Sequence, residues 1–294
     1  MGYIISEIIN SPHGFSLRTG GVSEGIFDSL NLGMHRGDDP YKVSENWRIF
    51  LEETGIINEN SGDNSQIGRI CCARQVHGAK VLAVTRKDLV TVCGMAAANG
   101  DNRNPDDDIF NYDSLPEADG FVTAQEGVPL VVFTADCTPV ILEDPKNRVI
   151  GCIHCGWRST AADIMKEAVS KMCELGAETE EIRAAIGPAI CFDCFEVGEE
   201  VVDAMRVLLS SDDATKTGDA EFATLFRKSE REAGKFYLDL RGVISMRFGQ
   251  LGISKDHIEI SELCTMETPD LFWSHRYTKG ERGSQANVIC LQSK

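Results

Sequence analysis

The chain contains 294 residues, and its 46 acidic side chains outnumber its 29 basic ones, which gives a formal net charge of −17. This acidic balance argues against a nucleic-acid partner and against an anionic membrane surface, because both require basic protein surface. Hydrophobic residues make up 42% of the chain, a globular proportion that excludes disorder of the chain as a whole.

The N-terminal residues and the cysteines indicate a reducing compartment. The first residues lack the basic region of a secretion signal and include Glu7. No apolar run approaches the roughly 20 residues that span a bilayer. The 11 cysteines are an odd number, which without a signal favours free thiols over disulfides. We therefore predict a cytoplasmic protein that has no membrane-spanning segment.

Short β-type runs recur along the chain, and several are continuously apolar, as is typical of strands covered on both faces. In chain order they span residues 3–9, 14–18, 69–73, 80–84, 120–123, 130–135, 140–143, 149–153, 182–186 and 286–291. Helical spacing of apolar residues predicts helices at 43–54, 159–175, 196–209 and 238–251. This mixture predicts an α/β (α+β) fold, a layered sandwich with a large mixed β-sheet core flanked by helices.

Three polar segments are predicted to be surface loops, at residues 58–66, 99–117 and 210–221. Their composition cannot bury enough apolar area to offset the entropy lost on ordering. None of them clearly separates two folding units, and no internal repeat is visible. We therefore predict that residues 1–294 form a single domain.

Three local clusters combine soft or titratable side chains with Gly, Pro and Trp: RQVHG at 74–78, TADCTP at 134–139 and GCIHCGWR at 151–158. The last two follow apolar strands, and strand ends are where α/β proteins place their sites. His77, Cys137 and His154 would make a three-ligand set of the kind found in catalytic zinc sites. The same set can hold copper, usually with a weak axial Met. The spacing alone is not a metal motif, so core or loop roles remain alternatives.

Two Cys-x-x-Cys pairs, Cys152 with Cys155 and Cys191 with Cys194, offer another arrangement. A structural zinc site would use both pairs together. The first pair closes an apolar strand, however, and residues three apart on a strand point to opposite faces. We therefore expect Cys152 and Cys155 to diverge, which argues against a four-cysteine zinc site.

These clusters belong to a longer series of short motifs. The series reads FSLRTGGVS at 15–23, SLNLG at 29–33, GDDP at 37–40, QVHG at 75–78, ADG at 118–120, ADCTPV at 135–140, HCGWR at 154–158, IGP at 186–188, FEVG at 195–198, CT at 264–265 and LFWS at 271–274. Over nearly the whole chain it resembles the laccase-domain (polyphenol oxidase-like) purine nucleoside phosphorylase family. Cys155, Ser159 and the sequence SHRY at 274–277 depart from the family pattern, which usually has Ala, Gly and a Tyr followed by two Arg.

The resemblance implies that His77, Cys137 and His154 are the metal ligands, with zinc as the cofactor and copper as the alternative. It implies phosphorolysis of adenosine, inosine and guanosine, with methylthioadenosine as a further candidate, to the free base and ribose 1-phosphate. Adenosine deamination is implied as an additional activity. The partners would be a purine nucleoside and phosphate. Asp136 adjoins a ligand, and it is a candidate for orienting that ligand or accepting a proton.

A bound phosphate would need fixed guanidinium groups. The candidates are the arginines in or next to the motifs: Arg18, Arg74, Arg158 and Arg276. Each of them could instead be an ordinary surface or ion-paired arginine.

Three other functions remain open at this point. A copper polyphenol oxidase is one, although six histidines without a His-x-His pair cannot furnish a multicopper cluster. The second is a cysteine hydrolase, in which Cys137 is the nucleophile and His154 or His77 the base. The third is a non-enzymatic redox or partner-binding protein. Activity that survives chelation but not alkylation would identify the hydrolase.

Overall fold

The structure is a computed structural model that describes residues 2–56, 68–92, 112–210 and 218–292. Its strands are β1 Tyr3–Ile4, β2 His13–Ser16, β3 Arg69–Ile70, β4 Val81–Ala83, β5 Val90–Thr91, β6 Gly120–Thr123, β7 Leu130–Thr134, β8 Thr138–Asp144, β9 Val149–Cys155, β10 Arg183–Ile186, β11 Glu196–Gly198, β12 Phe226–Lys228, β13 Lys235–Leu238, β14 Ile258–Ile260 and β15 Gln285–Ile289. Its helices are α1 Pro40–Glu53, α2 Trp157–Ala161, α3 Ile164–Glu174, α4 Glu199–Ser210, α5 Asp219–Phe222, α6 Leu240–Gln250 and α7 His275–Thr278.

Two sheets contain most of the strands. The larger has six strands in the order β14-β10-β8-β9-β6-β4, and it is mixed, because β10–β14 and β4–β6 are parallel pairs while the others are antiparallel. The second sheet, β1-β2-β15-β7, is antiparallel throughout. The remaining strands form smaller sheets of three strands (β11-β13-β12) and two strands (β3-β5).

The alternation of side chains along β7 places the four-stranded sheet between two apolar cores. Leu130 and Val132 belong to a core shared with residues of the six-stranded sheet, whereas Val131 and Phe133 belong to a core shared with α1. Successive side chains on a strand point to opposite faces, so both faces of this sheet are covered. This explains the continuously apolar strand sequences and confirms the predicted layered α/β arrangement.

The six-stranded sheet is covered on its other face by helices. Val140 and Leu142 of β8 share a core with Ile164 and Met165 of α3. Cys152 and Cys155 of β9 belong to the two different cores, so the expected divergence of this pair is confirmed.

The helix predicted at 159–175 is interrupted. It forms α2 and α3 instead, because Asp163 between them adopts a left-handed backbone conformation with a φ of 60°. The Asp163 carboxylate accepts a hydrogen bond of 2.7 Å from Arg247, which fixes the break against α6. The predicted helix at 196–209 was wrong at its start, where residues Glu196–Gly198 pair with β13 as a strand.

The predicted loops lie largely outside the described residues. All of 58–66, residues 99–111 of the second loop and residues 211–217 of the third belong to that part of the chain. In the described part of the second loop, Tyr112–Ser114 forms a short 3-10 helix. Across the described ranges, no helix has both the length and the apolar character that crossing a membrane requires.

Candidate functional site

The three predicted metal ligands meet where the chain passes between the two main sheets. Cys137 lies in the turn that joins β7 of the four-stranded sheet to β8 of the six-stranded sheet. His154 lies near the end of β9, opposite Pro139 of β8. His77 lies in the segment between β3 and β4. One ligand atom from each of the three side chains falls within 4.8 Å of the others.

The spacing of these atoms suits a metal ion. The Cys137 sulfur lies 3.8 Å from His77 Nε2, and the two imidazole centroids are 4.8 Å apart at 73°. Tetrahedral zinc with ordinary Zn–S and Zn–N distances would place a sulfur and a nitrogen about 3.6 Å apart. Two imidazoles and one thiolate therefore fit a zinc ion that keeps a further position for another ligand.

Gly156 allows this close approach. A Cβ atom at this position would lie 2.8 Å from Cδ2 of His77 and 3.2 Å from the sulfur of Cys137. The first distance is shorter than real Cβ contacts allow. A larger residue would therefore push the two donor side chains apart.

Asp119 holds two of the ligands in place. Its carboxylate is fully buried and accepts a hydrogen bond of 2.8 Å from Nδ1 of His154. It also accepts bonds from the backbone N–H groups of Val76, His77 and Gly78, at 3.1, 2.9 and 2.7 Å. Since the Nδ1–H of His154 is committed to Asp119, Nε2 is left to act as a metal ligand. Although burial opposes ionisation, the His154 and backbone bonds outweigh it and lower the pKa of Asp119.

The three ligands also influence one another's charge. Burial alone would raise the pKa of Cys137, but the neighbouring His154 and His77 outweigh it and lower this pKa to about 6. Burial likewise lowers the pKa of His154, but the charges of Cys137 and Asp119 outweigh that and raise it to about 9. Without metal, Cys137 is therefore a thiolate at neutral pH beside an imidazolium. A thiolate is the form that binds metal ions.

This predicts an unusual thiol titration in the metal-free protein. Because the pKa of Cys137 is lowered, its thiolate should persist down to about pH 6 and be lost only below that value. An ordinary cysteine titrates near pH 8.5. The measurement is thiolate absorbance against pH, with the curve of Cys137→Ser subtracted from that of the wild type. A difference curve centred above pH 8 would contradict the prediction.

An open pocket of about 100 Å³ adjoins the ligands. Its lining residues are His35, Arg36, Gln75, His77, Tyr112, Phe133, Thr134, Ala135, Cys137, His154, Arg282 and Ser284. The rings of His35 and Tyr112 stack at a centroid distance of 4.0 Å and an angle of 17°. Aromatic rings of this kind suit a flat, heteroaromatic ligand.

Two arginines bring positive charge into the pocket. The Arg36 Nε and the Arg282 Nη1 both donate to the hydroxyl of Ser284, at 3.3 and 3.1 Å. Burial and the nearby Arg36 charge lower the pKa of Arg282 to about 10. Within the described residues neither guanidinium forms an ion pair, and the buried Arg282 Nε has no hydrogen-bond partner. An anion bound here would relieve the repulsion between the two groups.

Arg74 and Arg158, two of the arginines predicted to bind phosphate, do not line this pocket. Arg74 pairs with Glu117 at 2.5 Å. The guanidinium of Arg158 lies 4.3 Å from the ring centroid of Trp157. These contacts are those of the alternative interpretation, in which Arg74 is an ion-paired arginine and the exposed Arg158 a surface arginine.

Arg18 and Arg276 also lie outside the pocket lining. Arg18 stacks 4.0 Å from the ring centroid of Trp273 and donates to the backbone carbonyl of Asp28. The Arg276 side chain donates to the carbonyl of Glu196 at 3.2 Å. In this structure the phosphate-binding candidates are therefore Arg36 and Arg282, and none of the four predicted arginines occupies that position.

Asp136 is held in place by two hydrogen bonds beside Cys137. Its backbone is left-handed with a φ of 87°, and its carboxylate accepts bonds from the Thr265 hydroxyl at 2.7 Å and the Arg276 N–H at 2.6 Å. The carboxylate thus ties distant segments to the turn that carries Cys137. The carboxylate that contacts the imidazole of His154 is that of Asp119, and the proton-accepting role considered for Asp136 stays a prediction.

Asp119, Arg36, Arg282 and Gln75 are candidate site residues that the sequence did not predict. Asp119 stands inside the motif ADG and Gln75 inside QVHG, so both carried a signal. The Gln75 side-chain amide donates to the carbonyl of Phe133 at 2.8 Å and accepts from the N–H of Phe133 at 2.6 Å. These two bonds anchor the His77 segment to β7. Arg36 and Arg282 are distant in sequence, and their proximity is a property of the fold alone.

The chain is similar to known proteins over most of its length. The sequence profile of the family described as "Multi-copper polyphenol oxidoreductase laccase" matches residues 12–292. A protein of Deinococcus radiodurans named purine nucleoside phosphorylase is 34% identical over 95% of this chain and 89% of its own length. Purine nucleoside phosphorylase YlmD of Bacillus subtilis is 30% identical over 95% and 88%.

Two further similarities concern structure and activity. The crystal structure of YlmD from Geobacillus stearothermophilus superposes with a TM-score of 0.77 and 30% identity, covering 96% of this chain and 92% of that one. A protein named adenosine deaminase RL5, from an unknown prokaryotic organism, is 29% identical over 68% of each chain.

Proposed function

Since the chain belongs to the multi-copper polyphenol oxidoreductase laccase family, whose relatives above are named purine nucleoside phosphorylases, we propose that it is a metal-dependent purine nucleoside phosphorylase. Its substrates would be adenosine, inosine, guanosine and methylthioadenosine, which it would convert with phosphate to the free base and a ribose 1-phosphate. The observation that carries this proposal is a single pocket that holds both the His77–Cys137–His154 set and the guanidinium groups of Arg36 and Arg282.

The reaction needs an anion site beside a sugar site. The bond from C1′ to the base breaks with its electron pair leaving on the base, and a phosphate oxygen forms the new bond to C1′. The base takes up the proton that hydrogen phosphate loses. The transition state has oxocarbenium character, as in glycoside cleavage. Arg36 and Arg282 would hold the phosphate, and the stacked His35 and Tyr112 rings would border the base.

His77, Cys137 and His154 would hold the metal, for which we propose zinc, with copper as the alternative. A zinc ion bound there would supply Lewis acidity and a template for an anionic oxygen. Asp119 accepts a hydrogen bond from the Nδ1–H of His154, and this leaves Nε2 as the nitrogen that can serve as a ligand. The pocket lining contains no methionine within the described residues, and thus lacks the usual axial ligand of a blue-copper site.

Replacing Arg282 by glutamine should raise the KM for phosphate about 10- to 100-fold, because a hydrogen bond to a charged group contributes about 1.5–3 kcal/mol. The KM for adenosine should change less than threefold. The measurement is initial rate against phosphate at saturating adenosine. Arg48→Gln is the matched control, since Arg48 is exposed on α1 and paired with Glu45 and Glu52. Equal phosphate KM values for both variants would remove Arg282 from the proposed anion site.

Product analysis tests the reaction itself. Purified, zinc-replete protein is incubated with adenosine, with and without phosphate, and the products are separated by chromatography. Adenine that forms only with phosphate is the expected result. The absence of any product from adenosine, inosine and guanosine would refute the proposed function.

Adenosine deamination is a second candidate activity, supported by the similarity to RL5. In the same assay it would yield inosine without any requirement for phosphate. It would use the same three ligands, since zinc lowers the pKa of bound water to about 7. The ratio of inosine to adenine measures the balance between the two activities.

The site draws on residues from both main sheets and from distant parts of the chain, which supports our proposal that residues 1–294 act as one domain. Binding of metal through the Cys137 thiolate requires a reduced cysteine. This supports a reducing compartment, and we propose a cytoplasmic location.

A further inference from the structure

A second group of metal-binding side chains lies outside the pocket. Its members are Cys191, Cys194, Cys264 and Glu267, whose sulfur and carboxylate atoms all fall within 4.8 Å of one another. Cys264 is buried, Cys191 and Cys194 are half-buried, and Glu267 is exposed. None of the four lines the pocket described above. We call this group the second cluster.

The backbone folds tightly around the Cys-x-x-Cys pair. The N–H groups of Cys194 and Phe195 both donate to the carbonyl of Cys191, at 3.1 and 2.9 Å. The N–H of Cys191 donates to the sulfur of Cys264 at 3.3 Å. The first segment is thus arranged around sulfur ligands.

The segment that carries Cys264 and Glu267 is also a compact turn. The N–H and the hydroxyl of Thr268 donate to the carbonyl of Cys264, at 3.1 and 2.6 Å. Cys264 forms a bridge with Ala189, which precedes the Cys-x-x-Cys pair. Backbone bonds therefore hold the two segments side by side without help from the cluster's side chains.

Four donors of this type match a closed structural zinc site. Such sites are tetrahedral, and they commonly include a Cys-x-x-Cys pair. Neighbouring sulfurs around zinc lie about 3.8 Å apart. Three sulfurs select a soft or borderline ion rather than magnesium or calcium. We propose that Cys191, Cys194, Cys264 and Glu267 bind a structural zinc ion, with loss of the thiol protons on binding.

The position of the second cluster indicates what the ion would do. The N–H of Ile190 donates to the carbonyl of Asp136 at 3.0 Å, and the hydroxyl of Thr265 donates to its carboxylate at 2.7 Å. Each of these residues adjoins a cysteine of the cluster, and Asp136 precedes Cys137. A zinc ion here would cross-link the segment of Cys191 and Cys194 to the segment of Cys264, and both segments support the Cys137 turn.

Zinc content measured by mass spectrometry in reducing buffer tests this proposal. A Cys137→Ser background removes a ligand of the catalytic set, so that the result does not depend on the proposed enzyme activity. This protein should retain one zinc per chain, and Cys137→Ser/Cys264→Ser should retain none. Cys137→Ser/Cys173→Ser is the matched control and should retain one, because Cys173 is an exposed thiol outside both groups.

Glu267→Gln provides a variant whose fold is not at risk, since Glu267 is exposed. In the Cys137→Ser background it should weaken zinc binding at least tenfold in competition with a chromophoric chelator. Cobalt loaded into the Cys137→Ser protein should give thiolate-to-cobalt charge-transfer absorption that Cys264→Ser abolishes. A Cys137→Ser protein that binds no zinc, zinc that survives Cys264→Ser, or a disulfide among the three cysteines in reducing buffer would each overturn the proposal.

Discussion

Replacing Cys137 by alanine should lower kcat/KM for adenosine phosphorolysis by at least about 10³-fold, which corresponds to about 4 kcal/mol. The reason is that Cys137 would supply one of three ligand atoms, and without it the metal would be left with two imidazoles. His77→Ala should have an effect of similar size. The measurement combines initial rates with the metal content of each purified variant, because loss of metal and loss of rate should go together.

Chelation separates this expectation from the hydrolase alternative. A metal enzyme should lose activity on dialysis against a chelator and regain it with zinc, whereas a cysteine nucleophile should keep its activity. Cys173→Ser is the matched control and should retain wild-type rates, since Cys173 is exposed and does not line the pocket. A Cys137→Ala enzyme within tenfold of the wild type would remove the sulfur from the mechanism.

Replacing Asp119 by alanine should lower the free energy of unfolding by about 3–5 kcal/mol, as expected when one partner of a buried, hydrogen-bonded charge pair is removed. Four donors would lose their acceptor, namely Nδ1 of His154 and three backbone N–H groups. For a chain of this size the melting temperature should fall by roughly 10 °C. Differential scanning calorimetry gives the measurement.

Metal affinity provides the second readout for Asp119. Loss of a carboxylate that orients a ligand imidazole typically costs 10- to 100-fold in metal affinity. Asp119→Asn keeps the shape of the side chain but turns an amide NH₂ toward donor groups, so its metal affinity should fall as well. Asp203→Ala, an exposed change on α4, is the matched control. An Asp119→Ala protein with the melting temperature and metal affinity of that control would contradict the assigned role.

Several elements could be predicted because their signal is local. The strand Gly120–Thr123 was predicted with its observed bounds, and β7 within one residue, since continuous apolar runs mark strands buried on both faces. The break at Asp163 could not be predicted in this way. It depends on an ion pair with Arg247, which lies 84 residues further along the chain.

The three proposed metal ligands and the proposed phosphate site differ in predictability for a physical reason. Histidine and cysteine side chains near strand ends, such as His77, Cys137 and His154, can serve only a few chemical functions. Arginines are common, and adjacency to a motif does not fix the direction of a side chain. Gln75 faces the pocket, whereas its neighbour Arg74 pairs with Glu117.

The second cluster shows the same limit. The Cys-x-x-Cys pair at 191–194 is visible in the sequence, and the other such pair, Cys152 and Cys155, is the partner that sequence spacing suggests and strand geometry argues against. Those two sulfurs belong to different apolar cores on opposite faces of β9. The partners that the structure provides are Cys264 and Glu267, brought alongside by the bridge between Ala189 and Cys264.

The most direct test of the proposed activity and its site is phosphorus NMR of zinc-replete protein with adenosine and inorganic phosphate. In the wild type, the phosphate signal should decrease as a ribose 1-phosphate signal grows in step with adenine. In His154→Ala, examined after its fold has been verified, the ribose 1-phosphate signal should not appear. A wild-type protein that forms no ribose 1-phosphate, or a His154→Ala protein that forms it at the wild-type rate, would contradict phosphorolysis at this site.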